Sequence, residues 1–264
     1  MKRLLLLLLT LGCLLSATGC NGEKQKENKM KNARSVLFIG NSYTYYNDMP
    51  TAIFAQFLKT AGKDVKVTAI TKGGWTLEKY ADPADEYGAR VEAALTGEEK
   101  YDLVILQEQS LRPAADPEKF FSAVENLTAR IRAHGAEVLL YATWGRHKDS
   151  PDLEKKGLTS ETMTYKLAAS YEKIGEQLWI PVTHVGLAFR AIYTEHGEIE
   201  LYDPDRSHPS YAGSYLAAAT LYAKIFEEEI PAYDGALSPA DAALLRKTAK
   251  AHADKAPEIP TEYK

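Results

Sequence analysis

From Ser35 onward, short apolar runs alternate with longer stretches of helical spacing. Residues 35–39, 65–70, 101–106, 137–143 and 180–185 are short and rich in Val, Ile and Leu, and they read as strands. Residues 48–61, 84–95, 116–134 and 160–178 read as the helices between them, and residues 209–228 and 238–253 as two closing helices. Local signals support the boundaries. Asn47 or Asp48 can cap the first helix, with Pro50 in its first turn. Asp116 and Pro117 open another, Gly135 stops it, and Ser238-Pro239 opens the last. The strands are continuously apolar, so both of their faces must be buried. Strand and helix at this spacing imply right-handed crossovers and a parallel sheet of about five strands between two helical layers. In such sheets ligands bind at the carboxyl ends of the strands. The residues after Ile39, Ile70, Leu106, Thr143 and Val185 therefore hold the candidate chemistry.

The N-terminus follows a different rule. Met1-Lys2-Arg3 is a short positive segment, and residues 4–15 form a nearly pure Leu run. That run fits a signal-peptide core and falls short of the ~20 residues needed to span a bilayer. Small residues then lead to Cys20, a pattern similar to the bacterial lipobox. The expected organisation is a signal peptide at 1–19, a lipidated Cys20 with a polar tether at 20–34, and one domain at 35–264. The protein would be exported and anchored to a bacterial membrane, in the periplasm or at the cell surface. Cys13 and Cys20 are the only cysteines, so the domain has neither a disulfide nor a cysteine nucleophile. The formal charge is −4, and −6 once Lys2 and Arg3 are removed. An acidic chain argues against a nucleic-acid partner and slightly disfavours strongly anionic substrates.

At the strand ends the candidate residues appear in order. Gly40-Asn41-Ser42-Tyr43 follows the first strand, where a Gly permits a tight turn and free N–H groups can face an oxyanion. Lys72-Gly73-Gly74-Trp75-Thr76 follows the second. Gln107-Glu108-Gln109-Ser110 ends the third, and an amide N–H₂ there is a donor that cannot titrate. Trp144 and Arg146 follow the fourth and can line a substrate pocket. Asp205 precedes His208 by three residues, just before the helix-opening Pro209. That spacing lets a carboxylate fix the tautomer of an imidazole base. His134, His147, His184 and His196 are not spaced as a metal cluster, and no metal or organic cofactor is expected.

This ordered set resembles the SGNH (GDSL-like) hydrolase superfamily. The matching blocks are Ile39-Gly40-Asn41-Ser42, Gly73-Gly74-Trp75-Thr76 and Asp205-Arg206-Ser207-His208-Pro209-Ser210, across residues 36 to about 225. Two departures stand out. Asn41 occupies a position where many members carry Asp, and Gln107-Glu108-Gln109-Ser110 replaces the usual Gly-x-Asn-Asp.

The resemblance implies a flavodoxin-like three-layer α/β/α sandwich and a Ser-His-Asp triad of Ser42, His208 and Asp205. It implies an oxyanion hole of the Ser42 N–H, the Gly74 N–H and the amide of Gln109, with Gln107 as the alternative donor. Asn41, Tyr43, Gln107, Trp75 and Trp144 are the expected substrate contacts. Tyr45 and Tyr46 join the aromatics that can stack on sugar rings. The expected reaction is hydrolysis of an acylated small molecule or glycan, above all carbohydrate O-deacetylation. A non-catalytic glycan-binding lipoprotein and an O-acyltransferase or lipase-type acylhydrolase are the rival readings.

Overall fold

The computed structural model describes residues 28–263. The expected signal peptide and the lipidation at Cys20 lie outside the described residues. Five parallel strands, β1 (Ser35–Gly40), β2 (Lys66–Thr71), β3 (Leu103–Leu106), β4 (Glu137–Ala142) and β5 (Val182–His184), lie in the order β2-β1-β3-β4-β5. The helices are α1 (Ser42–Tyr45), α2 (Ala55–Thr60), α3 (Leu77–Ala81), α4 (Glu86–Thr96), α5 (Arg112–Ala115), α6 (Pro117–Ala133), α7 (Pro151–Lys155), α8 (Ser160–Leu178), α9 (Val185–Glu195), α10 (Tyr211–Phe226) and α11 (Pro239–Asp254).

Successive side chains of a strand point to opposite faces, and here each face has its own core. Val36, Phe38, Leu103, Ile105, Leu139 and Tyr141 pack with α9, α10 and α11. Leu37, Ile39, Val104, Leu106, Val138 and Leu140 pack with α3, α4, α6 and α8. The continuous apolar runs of β1, β3 and β4 thus have a direct cause in a sheet covered twice, whereas the edge strand β2 is only half-buried. The three-layer α/β/α arrangement agrees with the expected fold.

Three local differences follow from tertiary contacts. Residues 28–34, read as the end of the tether, are anchored to the domain at two buried positions. Met30 and Ala33 share one side of a 3₁₀ turn and are buried in the first core, and Asn28 Nδ2 donates to Ile225 O (3.1 Å). The helix expected at 48–61 begins irregularly, with Asn47 and Asp48 in the left-handed region. Asn47 makes no cap there, because its amide donates to Pro209 O (3.1 Å) and Ser214 Oγ (2.9 Å). Finally, the fifth strand is only three residues long, and helix α9 follows it at once. Val182, Val185, Leu187, Ala188, Phe189 and Ile192 carry apolar positions across both elements, so periodicity alone gives no boundary.

Candidate active site

Ser42 sits where β1 ends and α1 begins. Two neighbours crowd this turn. A Cβ on Gly40 would lie 2.4 Å from Thr44 Oγ1 and 2.6 Å from Gln107 Oε1, so only Gly fits. Asn41 caps the turn. Its side chain accepts from Tyr43 N–H (3.1 Å), and its carbonyl accepts from Thr44 (2.9 Å) and Tyr45 (3.1 Å). The Ser42 N–H is left as the amide of this turn without an acceptor among the described residues.

The loop before α10 delivers the partner groups. Tyr202 and Pro209 bridge across it, Asp203 N–H donates to His208 O (2.9 Å), and Arg206 adopts a left-handed conformation to close the turn. Asp205 Oδ1 accepts the N–H groups of Ser207 and His208, each at 2.9 Å. Its Oδ2 bonds His208 Nδ1, and His208 Nε2 lies 2.8 Å from Ser42 Oγ. The structure therefore brings Ser42, His208 and Asp205 into one hydrogen-bonded line, although 166 residues separate the serine from the histidine. With Nδ1 donating to Asp205, the Nε2 lone pair faces the hydroxyl. Burial acts to raise the Asp205 carboxyl. The bonds from the His208 ring, the His208 N–H and the Ser207 N–H outweigh it and hold the carboxyl below its ordinary range. Tyr46 stacks flat on the imidazole, with centroids 4.2 Å apart and planes 6° from parallel.

A cavity of about 330 Å³ opens over this line, bordered by Ser42, Gly73, Gly74, Gln109, Arg146 and His208 among others. Gly74 has φ +70°, a conformation that favours Gly, and Asn41 Nδ2 holds the loop by donating to Trp75 O (3.0 Å). The two candidate amides separate clearly. Gln107 is buried behind the nucleophile. Its Oε1 accepts from Asn41 N–H (2.8 Å) and Thr44 Oγ1–H (2.8 Å), and its Nε2 donates to Glu108 O. Gln107 is therefore corrected from a substrate contact and oxyanion alternative to a brace for the nucleophile turn. Gln109 borders the cavity. Its Oε1 is turned inward to Leu111 N–H (3.0 Å) and Arg112 N–H (3.2 Å), and its Nε2 has one long bond to Ser110 Oγ (3.3 Å).

The expected aromatic contacts divide in the same way. Trp144 is fully buried, stacked between Tyr43 (4.7 Å) and Phe189 (4.0 Å), with its indole N–H on Ser207 O (3.2 Å). It is corrected to a core residue, because an indole stacked on both faces has no face left for a sugar. Trp75 is not among the residues bordering the cavity. Its N–H donates to Asp85 (3.0 Å) and Lys79 covers its ring at 3.9 Å. Asn41, Tyr43, Tyr45 and Tyr46 do border the cavity, Tyr43 with its hydroxyl paired to Ser207 Oγ (2.7 Å).

Sequence reasoning passed over Glu108. Its side chain is buried, with the residue 1 % exposed, and its carboxylate accepts from Leu77 N–H (3.2 Å) and from Gln109 N–H. It thus ties the Gly74 loop to Gln109. The available signal was an acidic residue at the end of a strand that is apolar on both faces. Burial pushes this carboxyl up to about 7, against the N–H bonds and the charge of Arg112. The folded protein then holds the proton more tightly than the unfolded chain. Ionisation destabilises the fold, beginning near the ordinary value of 4.5 and complete above about 7. Glu108→Gln keeps an acceptor and cannot ionise. It is expected to flatten the loss of stability between pH 5 and pH 8, by about 3 kcal/mol at most. Urea midpoints at the two pH values measure this, and an unchanged pH slope in the variant would show that Glu108 is not its source.

Comparison with known proteins extends these observations. No family model matches the chain, and no curated protein matches it. Solved structures do. A protein from Slackia heliotrinireducens assigned as an SGNH hydrolase is 32% identical, with TM-score 0.64, over 72% of this chain and 97% of its own. A DUF4886 family protein from Bacteroides uniformis is 18% identical, with TM-score 0.69, over 85% of this chain and 97% of its own. An acetylxylan esterase from Geobacillus stearothermophilus is 15% identical, with TM-score 0.55, over 74% and 95%. The last two likenesses concern the fold.

Proposed function

This chain belongs to the SGNH hydrolase superfamily, and from that premise we propose that it is a serine esterase that removes short acyl groups, foremost O-acetyl, from carbohydrate. The observation that carries the proposal is the hydrogen-bonded line Asp205–His208–Ser42 beneath a small cavity. Ser42 Oγ attacks the ester carbonyl while His208 Nε2 takes its proton. His208 then passes that proton to the leaving alcohol, and Asp205 stabilises the imidazolium that forms in between. The tetrahedral oxyanion is received by the Ser42 N–H, the Gly74 N–H and the Gln109 amide. Water, activated by the same His208, cleaves the acyl-Ser42 intermediate.

A cavity of about 330 Å³ over the catalytic line has room for an acetyl group and an adjoining sugar. The fold is shared with acetylxylan esterases, which supports the same class of substrate. The test is acetate release from a panel of acetylated polysaccharides, with no release from any of them counting against the reading. Gln109→Ala is expected to lower kcat by about 10²–10³ with KM little changed, because the donor acts on the transition state. A rise in KM at constant kcat would instead make Gln109 a ground-state contact.

A further inference from the structure

Among the described residues, Arg146 is the one Lys or Arg bordering the cavity, and no Asp or Glu borders it. Its backbone is fixed to α8, with Gly145 N–H on Thr164 Oγ1 (3.1 Å) and Arg146 N–H on Met163 Sδ (3.4 Å). The side chain is 15% exposed. One Nη1–H meets Asp152, a carboxylate that also pairs with Lys155 (3.3 Å). The Nε–H is buried and has no acceptor among the described residues. Hydroxyls line the cavity beside it, and the Asp205 carboxylate, bonded to the bordering His208, acts on the same Tyr43 phenol. Tyr43 OH and Ser207 Oγ are paired beside it, and Ser110 borders the same cavity. Burial raises the Tyr43 phenol, and the charge of Arg146 opposes that rise, which puts the guanidinium within electrical reach of residue 43.

A guanidinium whose one counter-ion, Asp152, is shared with Lys155 keeps part of its positive charge unbalanced for a ligand in the cavity it borders. Its planar fork matches a carboxylate. Resting on the esterase reading, we infer that Arg146 makes this cavity selective for esters that also carry a carboxylate. The acidic chain as a whole slightly disfavours strongly anionic substrates, but the field that a bound substrate meets is set by the cavity lining. The carboxylate has two chemical sources. It can lie on the acyl side, in a half-ester of a dicarboxylic acid. It can lie on the alcohol side, in an O-acetylated uronic acid.

Two substrate pairs separate these. The first is 4-nitrophenyl acetate beside 4-nitrophenyl hemisuccinate. The second is an O-acetylated methyl glucoside beside the matching methyl glucuronoside. Within one pair the wild-type kcat/KM is expected to favour the carboxylate ester by about 10- to 100-fold, the factor of a charge-assisted hydrogen bond. In Arg146→Gln that ratio should collapse towards one. Each ratio is taken within a single protein, so a partly folded variant still reports it. A purely structural Arg146 would depress both members of a pair alike. A wild-type ratio near one in both pairs, or a ratio that survives Arg146→Gln, overturns the inference and leaves the esterase reading standing. Absence of Ser42-dependent hydrolysis of any ester overturns both.

Discussion

Replacing Ser42 with alanine is expected to lower kcat for ester hydrolysis by about 10⁶, the scale on which serine hydrolases lose activity with their nucleophile. The substitution removes only Oγ. That atom is 2.8 Å from His208 Nε2, and the residue is 9% exposed, at the floor of the cavity. The turn is held by Asn41, Gln107 and Gly40, none of which bonds Oγ. The variant should therefore fold normally and keep its oxyanion donors, leaving a residual rate enhancement of about 10³–10⁴ over water. Nitrophenol release from 4-nitrophenyl acetate measures the loss. An acyl adduct trapped on the Ser42 peptide of the parent should be absent from the variant. Activity within tenfold of the parent would remove Ser42 from the chemistry.

The second large effect concerns Asp205. Asp205→Asn is expected to cost about 10⁴ in kcat while the fold is preserved. An asparagine Oδ1 can still accept the Ser207 and His208 N–H groups, which lie at 2.9 Å in the parent. The other end of the side chain changes from an acceptor to a donor. It then meets His208 Nδ1 with the wrong polarity and favours the tautomer protonated on Nε2. That nitrogen can no longer take the Ser42 proton, and no carboxylate balances an imidazolium. Because hydrogen bonds hold Asp205 below the ordinary carboxyl range, its charge in the parent survives into mild acid. The parent and the variant should therefore differ across the whole neutral range and not only at its edge. A loss of less than tenfold, with unchanged circular dichroism, would show that His208 does not depend on this carboxylate.

The oxyanion region shows how far a linear pattern reaches. Gln107 and Gln109 are the same residue type two positions apart, with opposite fates. Gln107 ends the apolar run of β3 and points to the crowded Gly40 turn, where its amide is consumed by Asn41 and Thr44. Gln109 lies beyond the strand, on the loop that borders the cavity. Glu108 between them is buried, and it links Gln109 to the Gly74 loop from α3. Nothing in the order of letters says which amide has spare donors, since that depends on the residues each one meets. Trp144 makes the same point. It stands directly after a strand end, where the sequence places ligand contacts, yet Tyr43 and Phe189 take both of its faces.

The sequence by itself determined the class of fold, because continuous apolar strands spaced by helices leave few ways to bury both faces. It also determined the triad candidates, because Gly-x-Ser after the first strand and Asp-x-x-His before a helix are local patterns at the catalytic edge of a parallel sheet. The expectation of lipidation at Cys20 rests on the sequence alone. Only the tertiary structure decided which neighbours of those residues face a substrate. It joined Ser42 to His208 across 166 residues, withdrew Trp144 and Gln107 into the interior, and left Arg146 bordering the cavity. The physical reason is that periodicity fixes which face of an element is buried, whereas hydrogen-bond and charge balance are settled only between elements distant in the chain.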